Sequence, residues 1–459
     1  MQNSVENTCN KEKESISIQK IPFYTVLVSV FLAVLDYAII NIALPVIAKD
    51  LHATASVSIW VVNAYQILNC MFLLPLASMA ERFGARRVCL SGLSILVFGS
   101  VLCSISYNIW FLIMARAIQG VGGAAIMAVN TALIRSVCPV SKLGQGLALN
   151  ALVTSLAVAI GPSVAAGILY FTSTWRWLFL VNLPLGLLAF LLCAIFLPKN
   201  TILKNNLDIL SILLNLLAFG LSLIGGDFLL RQEWSVGGVV MLAVGLAACT
   251  GLYVRQKRLY TPLLPLDLLE NQKFFIGILT CFLGYTAANF FMISIPFSLV
   301  TLFHRTVVSA GILITPWPVS MVLAGPVVAF LSQKIAAQYL VLLGLLLNGF
   351  GFLLVRVTPM GAGDLNIMWR LAIAGVGFAL FVSPNNKITL LASPLQRSAS
   401  ASGMISLARI LGQTCGASCV ALLLTTRIVQ PTLICLDFAV AVAWSAGFLV
   451  LFNSFNRRE

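Results

Sequence analysis

Met114-Ala-Arg116-Ala-Ile-Gln119-Gly120-Val-Gly122 and, much later, Met368-Trp-Arg370-Leu-Ala-Ile-Ala-Gly375-Val-Gly377 read as two copies of one block. Gly120 and Gly375 are 255 residues apart. A second pair, Gly92-Leu-Ser-Ile-Leu-Val-Phe-Gly99 and Gly344-Leu-Leu-Leu-Asn-Gly-Phe-Gly351, keeps nearly the same offset, 252. Asn130 and Asn385 each follow their glycine by ten residues. Two matched blocks at one spacing mark an internal repeat.

The runs around these blocks place the repeat in a membrane. The chain has 459 residues, 60% of them hydrophobic and 9% charged, with a mean hydropathy of +1.01. A soluble chain of this size needs far more charge to cover its surface. Apolar stretches of roughly 18 residues or more, enough to cross a bilayer core, recur from end to end. The pattern predicts fourteen helical spans: 22–45, 57–78, 88–106, 109–134, 143–170, 177–197, 207–225, 236–254, 274–302, 307–331, 339–355, 366–387, 400–425 and 433–453. Spans 3 and 4 then correspond to spans 11 and 12. Six spans at each end are copies, and spans 7 and 8 are an insertion. The expected fold class is an all-α polytopic membrane protein. Its parts are a tail at 1–21, a six-helix bundle at 22–197, the inserted pair with its link at 198–273, a second bundle at 274–453 and a tail at 454–459.

The net charge of +14 does not point to nucleic acid, because of where it lies. With the N-terminus cytoplasmic, 19 of the 28 basic residues fall on that face and 7 on the other. The positive-inside rule therefore predicts cytoplasmic termini, and the excess charge meets anionic lipid. The polar first 20 residues lack a cleavable signal pattern. Eleven cysteines scatter mostly through apolar runs, and only Cys415 and Cys419 share a helical turn, so neither a metal site nor a disulfide framework is expected. There is no Gly-x4-Gly-Lys-Ser/Thr loop, and His52 and His304 are the only histidines. An enzyme is not expected. A machine in this membrane would draw on an ion gradient and no cofactor.

Four blocks resemble the major facilitator superfamily, and within it the fourteen-span drug–proton antiporters. Leu35-Asp36-Tyr-Ala38-Ile-Ile-Asn41-Ile-Ala-Leu-Pro45 resembles the first-span signature, with Ala38 where Thr is usual. Ser78-Met-Ala-Glu81-Arg82-Phe-Gly84-Ala-Arg86-Arg87 resembles the gating loop between spans 2 and 3, with Ser78 and Glu81 in place of Gly and Asp. Arg116-Ala-Ile-Gln119-Gly120 resembles the span-4 motif. Gly161-Pro162-Ser-Val-Ala165-Ala166-Gly167, followed by Trp175-Arg176-Trp177 and Asn182-Leu-Pro184, resembles the antiporter motif of span 5 and its sequel. Ala165 and Ala166 replace a Gly-Gly pair, which leaves the direction of exchange open. Ala408-Arg409-Ile-Leu-Gly412-Gln413 resembles the span-13 pattern of the second half.

The residues carry their own physical reading. A carboxylate in hydrocarbon costs about 2.5–3.5 kcal/mol on insertion scales, so Asp36 needs a partner or water. It is expected in the outer half of span 1, facing a cavity, with Arg116 as its electrostatic counterweight; a purely structural pair is the other reading. Asn41, Tyr65, Gln66, Asn130, Asn289, Phe290 and Phe291 are further candidates for the cavity wall. Gly161-Pro162 removes one backbone hydrogen bond from a long helix. Asp437 is expected at the membrane interface, and Asp227 and Glu233 in a solvated loop between the inserted spans.

The resemblance implies a proton-coupled exporter of amphipathic compounds, cationic ones among them, in the plasma (inner) membrane, with Asp36 as proton and cation carrier. Its partners would be lipid, a small-molecule substrate and protons, with a periplasmic adaptor and outer-membrane channel as further possible partners. Transport of one specific metabolite (an amino acid, siderophore or sugar derivative) and a membrane sensor or scaffold that has lost transport remain alternatives.

Overall fold

The computed structural model describes residues 20–139, 143–198, 208–230, 235–257, 259, 266–359, 361–393, 398–425 and 430–455. Among the described residues there is no strand, and fourteen helices are long and apolar enough to span a bilayer. They are Lys20–Asp50, Ala55–Ala80, Ala85–Ser104, Ile109–Val137, Leu152–Thr172, Trp177–Phe196, Ile209–Leu229, Val236–Gln256, Gln272–Thr301, Val307–Ser332, Ala337–Arg356, Asp364–Leu391, Gly403–Leu424 and Pro431–Phe452, numbered below as spans 1 to 14. Helices dominate because lipid offers backbone groups no partner, and a helix satisfies them internally.

Several spans outrun the lengths read from hydropathy. Span 1 continues through Pro45 to Asp50, 31 residues in all. At 1.5 Å per residue that is about 46 Å, longer than the roughly 30 Å hydrocarbon core, so its ends stand among headgroups. Spans 6 and 10 are each built of two pieces, broken before Asn182 and before Pro316. Spans running alternately leave Lys20 and Phe455 on one face, called the terminal face here; the other is the distal face.

The tightest turn joins spans 2 and 3. Gly84 holds φ at 93°, and its N–H bonds to the Ala80 carbonyl at 2.9 Å. Any residue with a Cβ would be strained there, which accounts for a glycine in the loop motif.

The repeat reappears as packing. A Cβ on Gly120 would lie 2.4 Å from the Tyr65 carbonyl of span 2, and one on Gly375 2.0 Å from the Trp317 carbonyl of span 10. Tyr65 and Trp317 are themselves 252 apart. Likewise Gly122 crosses Gly92 and Leu96, while Gly377 crosses Gly344 and Asn348. Missing side chains let these helices touch backbone to backbone, which supplies van der Waals contact where lipid provides no hydrophobic drive.

The two six-span halves are joined by hydrogen bonds on the distal side. Ser56 Oγ donates to the Ala421 carbonyl at 3.2 Å, and Ser163 Oγ lies 2.8 Å from Thr315 Oγ1. Apolar packing of span 2 against span 13 continues toward the terminal face through Cys70, Leu73, Met404 and Leu407.

Spans 7 and 8 form a hairpin that lies over the seam between spans 2 and 13. Asn215 Nδ2 donates to the Met71 carbonyl at 2.8 Å, and Phe228 packs on Trp60 with centroids 5.9 Å apart. One expectation is overturned here. Asp227 is not in a solvated loop: span 7 continues past it, and its side chain turns against span 2 at 1% exposure. Glu233 lies outside the described residues.

Candidate functional site

Asp36 sits at mid-length on span 1 with no exposed surface. Its Oδ2 accepts from Arg116 Nη1 at 2.9 Å. Its Oδ1 accepts from Gln119 Nε2 at 3.3 Å and from Asn182 Nδ2. The carboxylate is thus gripped by span 4, twice, and by the start of the second piece of span 6.

The partners are themselves held. Arg116 Nη1 also donates to Gln119 Oε1 at 2.7 Å, and its Nε donates to the Val61 carbonyl of span 2 at 3.3 Å. The guanidinium lies 4.4 Å from the Tyr65 ring centroid and 5.8 Å from that of Phe179. Gln119 Nε2 donates to Ser100 Oγ of span 3 at 2.6 Å, and Cys103 Sγ donates to Gln119 Oε1 at 3.3 Å. Arg116 Nη2 and Asn182 Oδ1 are buried without a partner among the described residues. Five spans therefore converge on one ion pair. Such a pair holds only because several dipoles replace the water it has lost.

This corrects the expected orientation of Asp36. It faces the interior of its own half and has no exposed surface. The neighbouring residue takes the outward position, because each step along a helix turns about 100°. Tyr37 OH donates to Asn289 Oδ1 of span 9 at 3.1 Å and accepts from Gln66 Nε2 at 2.7 Å. Gln66 Oε1 accepts from Thr414 Oγ1 of span 13 at 3.3 Å, and Asn289 Nδ2 donates to the Gln413 carbonyl. A polar relay thus crosses between the halves one residue away from the buried charge.

The other candidates separate into groups. Asn41 and Asn130 are buried, each with an Oδ1 that finds no partner among the described residues. Phe290 stacks on Phe438 and Phe291 on Phe352, with centroids 6.0 and 4.4 Å apart, inside the second half. Arg409 is half-buried beside Tyr285, with which it hydrogen-bonds. Gly161 packs on Ala38, where a Cβ would come within 2.6 Å of its methyl; Pro162 lies within span 5, and Gly167 faces open space. In the loop block, Ser78 is half-buried, Arg82 lies over the Phe83 ring and Arg87 is exposed. Arg86 donates to the Ala194 carbonyl of span 6, a bond within its own half. The side chain of Glu81 lies outside the described residues. Asp437 is exposed and paired to Arg356 at 2.9 Å.

Tyr37, Ser100, Thr414 and the roles of Gln119 and Asn182 were not evident from sequence. Gln119 carried a signal, being one helical turn beyond Arg116. Asn182 carried another, as an amide within an apolar run.

A profile described as Major Facilitator Superfamily matches residues 26–417. An uncharacterized transporter, YebQ of Escherichia coli, is 42% identical over 406 residues, covering 87% of this chain and 88% of that protein. The multidrug resistance protein Stp of Mycobacterium tuberculosis is 28% identical, covering 84% of this chain and 72% of that protein. The riboflavin transporter RibZ of Clostridioides difficile is also 28% identical, covering 81% and 80%. A crystal structure of a peptide transporter, POT, in complex with sulfate superposes with a TM-score of 0.73 at 13% identity, over 97% of this chain and 98% of that one. At that identity the likeness concerns the fold alone.

Proposed function

The chain belongs to the Major Facilitator Superfamily, and from that membership we propose a proton-coupled exporter of amphipathic, cationic compounds working by alternating access. It is a transporter of the membrane and not an enzyme. The proposed setting is the inner membrane with both termini cytoplasmic, which makes the distal face the outer one. The hydrogen bonds between halves then belong to the outward closure, and the conformation is closed outside. Coupling to a periplasmic adaptor and an outer-membrane channel belongs to the same proposal.

The observation that carries the reading is the sealed Asp36–Arg116 pair beside the inter-half relay. A proton on Asp36 cancels the charge that holds Arg116 Nη1, Gln119 and Asn182 in place. Span 1 is then freed from spans 4 and 6, and Tyr37, on the same helix, moves relative to Asn289. Arg116 keeps a hydrogen bond to Gln119 and the Tyr65 ring face, so it retains partial compensation while its carboxylate is neutral. Loss of the proton restores the grip and closes the relay between the halves. An exchange cycle follows if proton and substrate favour opposite ends of this motion.

Purified protein in proteoliposomes under an imposed pH gradient tests this, with ethidium as the probe. Gradient-driven ethidium flux is expected with the native chain, and none with Asp36→Asn at equal incorporation. Native-level flux in that variant would reduce Asp36 to a structural residue, and no flux of any probe with the native chain would favour a sensor or scaffold.

A second reading has one observation behind it: the relative named as a riboflavin transporter is as similar as the one named for multidrug resistance. Export or uptake of one metabolite uses the same coupling. Growth profiling of a deletion strain separates the two, since broad sensitivity to dyes and biocides supports drug export and a single nutritional defect supports the metabolite.

A further inference from the structure

The inserted hairpin carries a carboxylate that the proton-coupling scheme does not use. Asp227 lies two residues before the distal end of span 7, where a turn of its side chain would reach headgroups and water. Instead it is 1% exposed, and its Oδ1 accepts from Asn63 Nδ2 of span 2 at 3.3 Å. The same Nδ2 donates to Ser418 Oγ of span 13 at 3.1 Å. Asn63 has no exposed surface. One amide therefore ties together the first half, the second half and the insertion, on the distal side where the halves are hydrogen-bonded.

The polarity of this junction depends on the charge of Asp227. The amide spends its donors on Asp227 and Ser418, and its Oδ1 is left buried with no partner among the described residues. An ionised carboxylate favours this arrangement, since a hydrogen bond to a charged acceptor is roughly twice as strong as one between neutral groups. A protonated carboxyl is a donor. It would satisfy Oδ1 with the amide turned over, and the N–H bond that now holds Asn63 to both neighbours would be lost.

Spans 2, 8, 13 and 14 border this junction. Span 13 presents Cys419, with Cys415 one turn below, and span 14 adds Cys435 near Cys419. Span 2 presents Asn63 and the Trp60 ring packed on Phe228. Span 8 meets span 7 through Gly238, Met241 and Leu242, none of which titrates. Arg231 and Glu233, next along the chain, lie outside the described residues.

We propose that Asp227 is a second proton-binding carboxylate, whose ionised form holds the distal seam between spans 2 and 13 shut and whose protonated form releases it. The insertion would then sense protons arriving from the distal side. The inference rests on the proposed coupling at Asp36 but concerns a separate carboxylate, and the two fail separately.

Hydrogen exchange measured by mass spectrometry on the full chain in nanodiscs reads the seam directly, through peptides covering 55–66 and 414–424. After correction for the intrinsic rate, native protein is expected to lose protection roughly tenfold between pH 8 and pH 5.5, about the worth of one charged hydrogen bond. Asp227→Asn should be loose at both pH values, and Asp227→Glu should restore the pH response. Ser418→Ala should weaken protection at pH 8 while keeping the midpoint. Asp36→Asn should keep the seam response even where ethidium flux is gone. A native pH response persisting in Asp227→Asn would overturn the inference and leave the Asp36 scheme standing. If the native seam shows no pH response, the proposal also fails.

Discussion

The two halves are built on one plan of helix crossings and differ in what they bury. Gly120 on Tyr65 and Gly375 on Trp317 are the same contact made twice, as are Gly122 on Gly92 and Gly377 on Gly344. The charge is not repeated. Counting by the 252 offset, Tyr37 corresponds to Asn289 and Asp36 to Ala288, while the aligned Met-x-Arg blocks set Arg116 opposite Arg370. Asn289 reaches across to the other half, to Tyr37, as well as to the Gln413 carbonyl. Arg370 has no carboxylate among its described partners. It donates to the Leu354 carbonyl at 2.6 Å, to Thr358 Oγ1 at 3.0 Å and to Asn366 Oδ1 at 3.0 Å. The scaffold alone therefore does not require an ion pair. One half buries a carboxylate against a guanidinium, and the other meets it through the neutral amide of Asn289 bonded to Tyr37.

The largest test of that contrast removes the charge. Asp36→Asn leaves the fully buried Arg116 without its carboxylate, and breaking a buried pair in this way costs about 3–5 kcal/mol. The double variant Asp36→Asn/Arg116→Gln should recover a large part of that loss in thermal unfolding followed by tryptophan fluorescence. Asn289→Ala, the neutral partner of Tyr37 in the other half, should cost only about 0.5–1.5 kcal/mol. Equal losses at the two positions would break the comparison.

The crossings come next. Gly120→Ala and Gly375→Ala each push a methyl into a backbone carbonyl, and overpacking of this kind costs about 1–3 kcal/mol. Gly375 should suffer more, because its added carbon would meet the Trp317 carbonyl at 2.0 Å against 2.4 Å for Gly120 and Tyr65. Free tolerance of alanine at one site alone would mean that the two crossings are not equivalent.

A smaller effect is expected at the relay. Tyr37→Phe deletes the donor to Asn289 and the acceptor for Gln66 while keeping the ring. Each neutral hydrogen bond contributes about 0.5–1.5 kcal/mol, so mid-span contact between the halves should weaken several-fold. Faster hydrogen exchange confined to the middle of spans 1, 2 and 9 would report it, and a uniform change over the whole chain would point to misfolding instead.

The smallest effect should lie in the clasp at the terminal end of the inserted hairpin. Arg255 bonds Asp208 at 2.7 and 3.1 Å, and those bonds, more than any other cause, push the Asp208 carboxyl down to about 2. A depressed carboxylate stabilises above its unfolded pKa of about 3.9 and loses that contribution as pH falls through its folded value. Between pH 5 and 8 the clasp is therefore constant. Arg255→Gln should leave the pH profile of ethidium flux where it is, and a displaced midpoint would bring this clasp into the coupling.

Much of this molecule was legible without coordinates. Hydropathy alone separates fourteen spans, because lipid demands long apolar helices and little else satisfies the backbone within it. The doubled glycine blocks announced a doubled bundle, since a helix crossing at backbone distance leaves room only for glycine. Asp36 and Arg116 stood out because charge is costly at that depth. Their pairing followed from the need for compensation. Which way each side chain points was decided only by the tertiary structure. Asp36 turns inward to Gln119 and Asn182 while Tyr37, one residue on, turns outward to Asn289, and runs of apolar residues on every face give no clue to that choice. Asp227 shows the same limit. Near a helix end it reads as a residue bound for water, and only the meeting of span 7 with Asn63 and its neighbour Ser418 reveals that it is buried. Those partners lie 164 and 191 residues away, so no local pattern could have joined them.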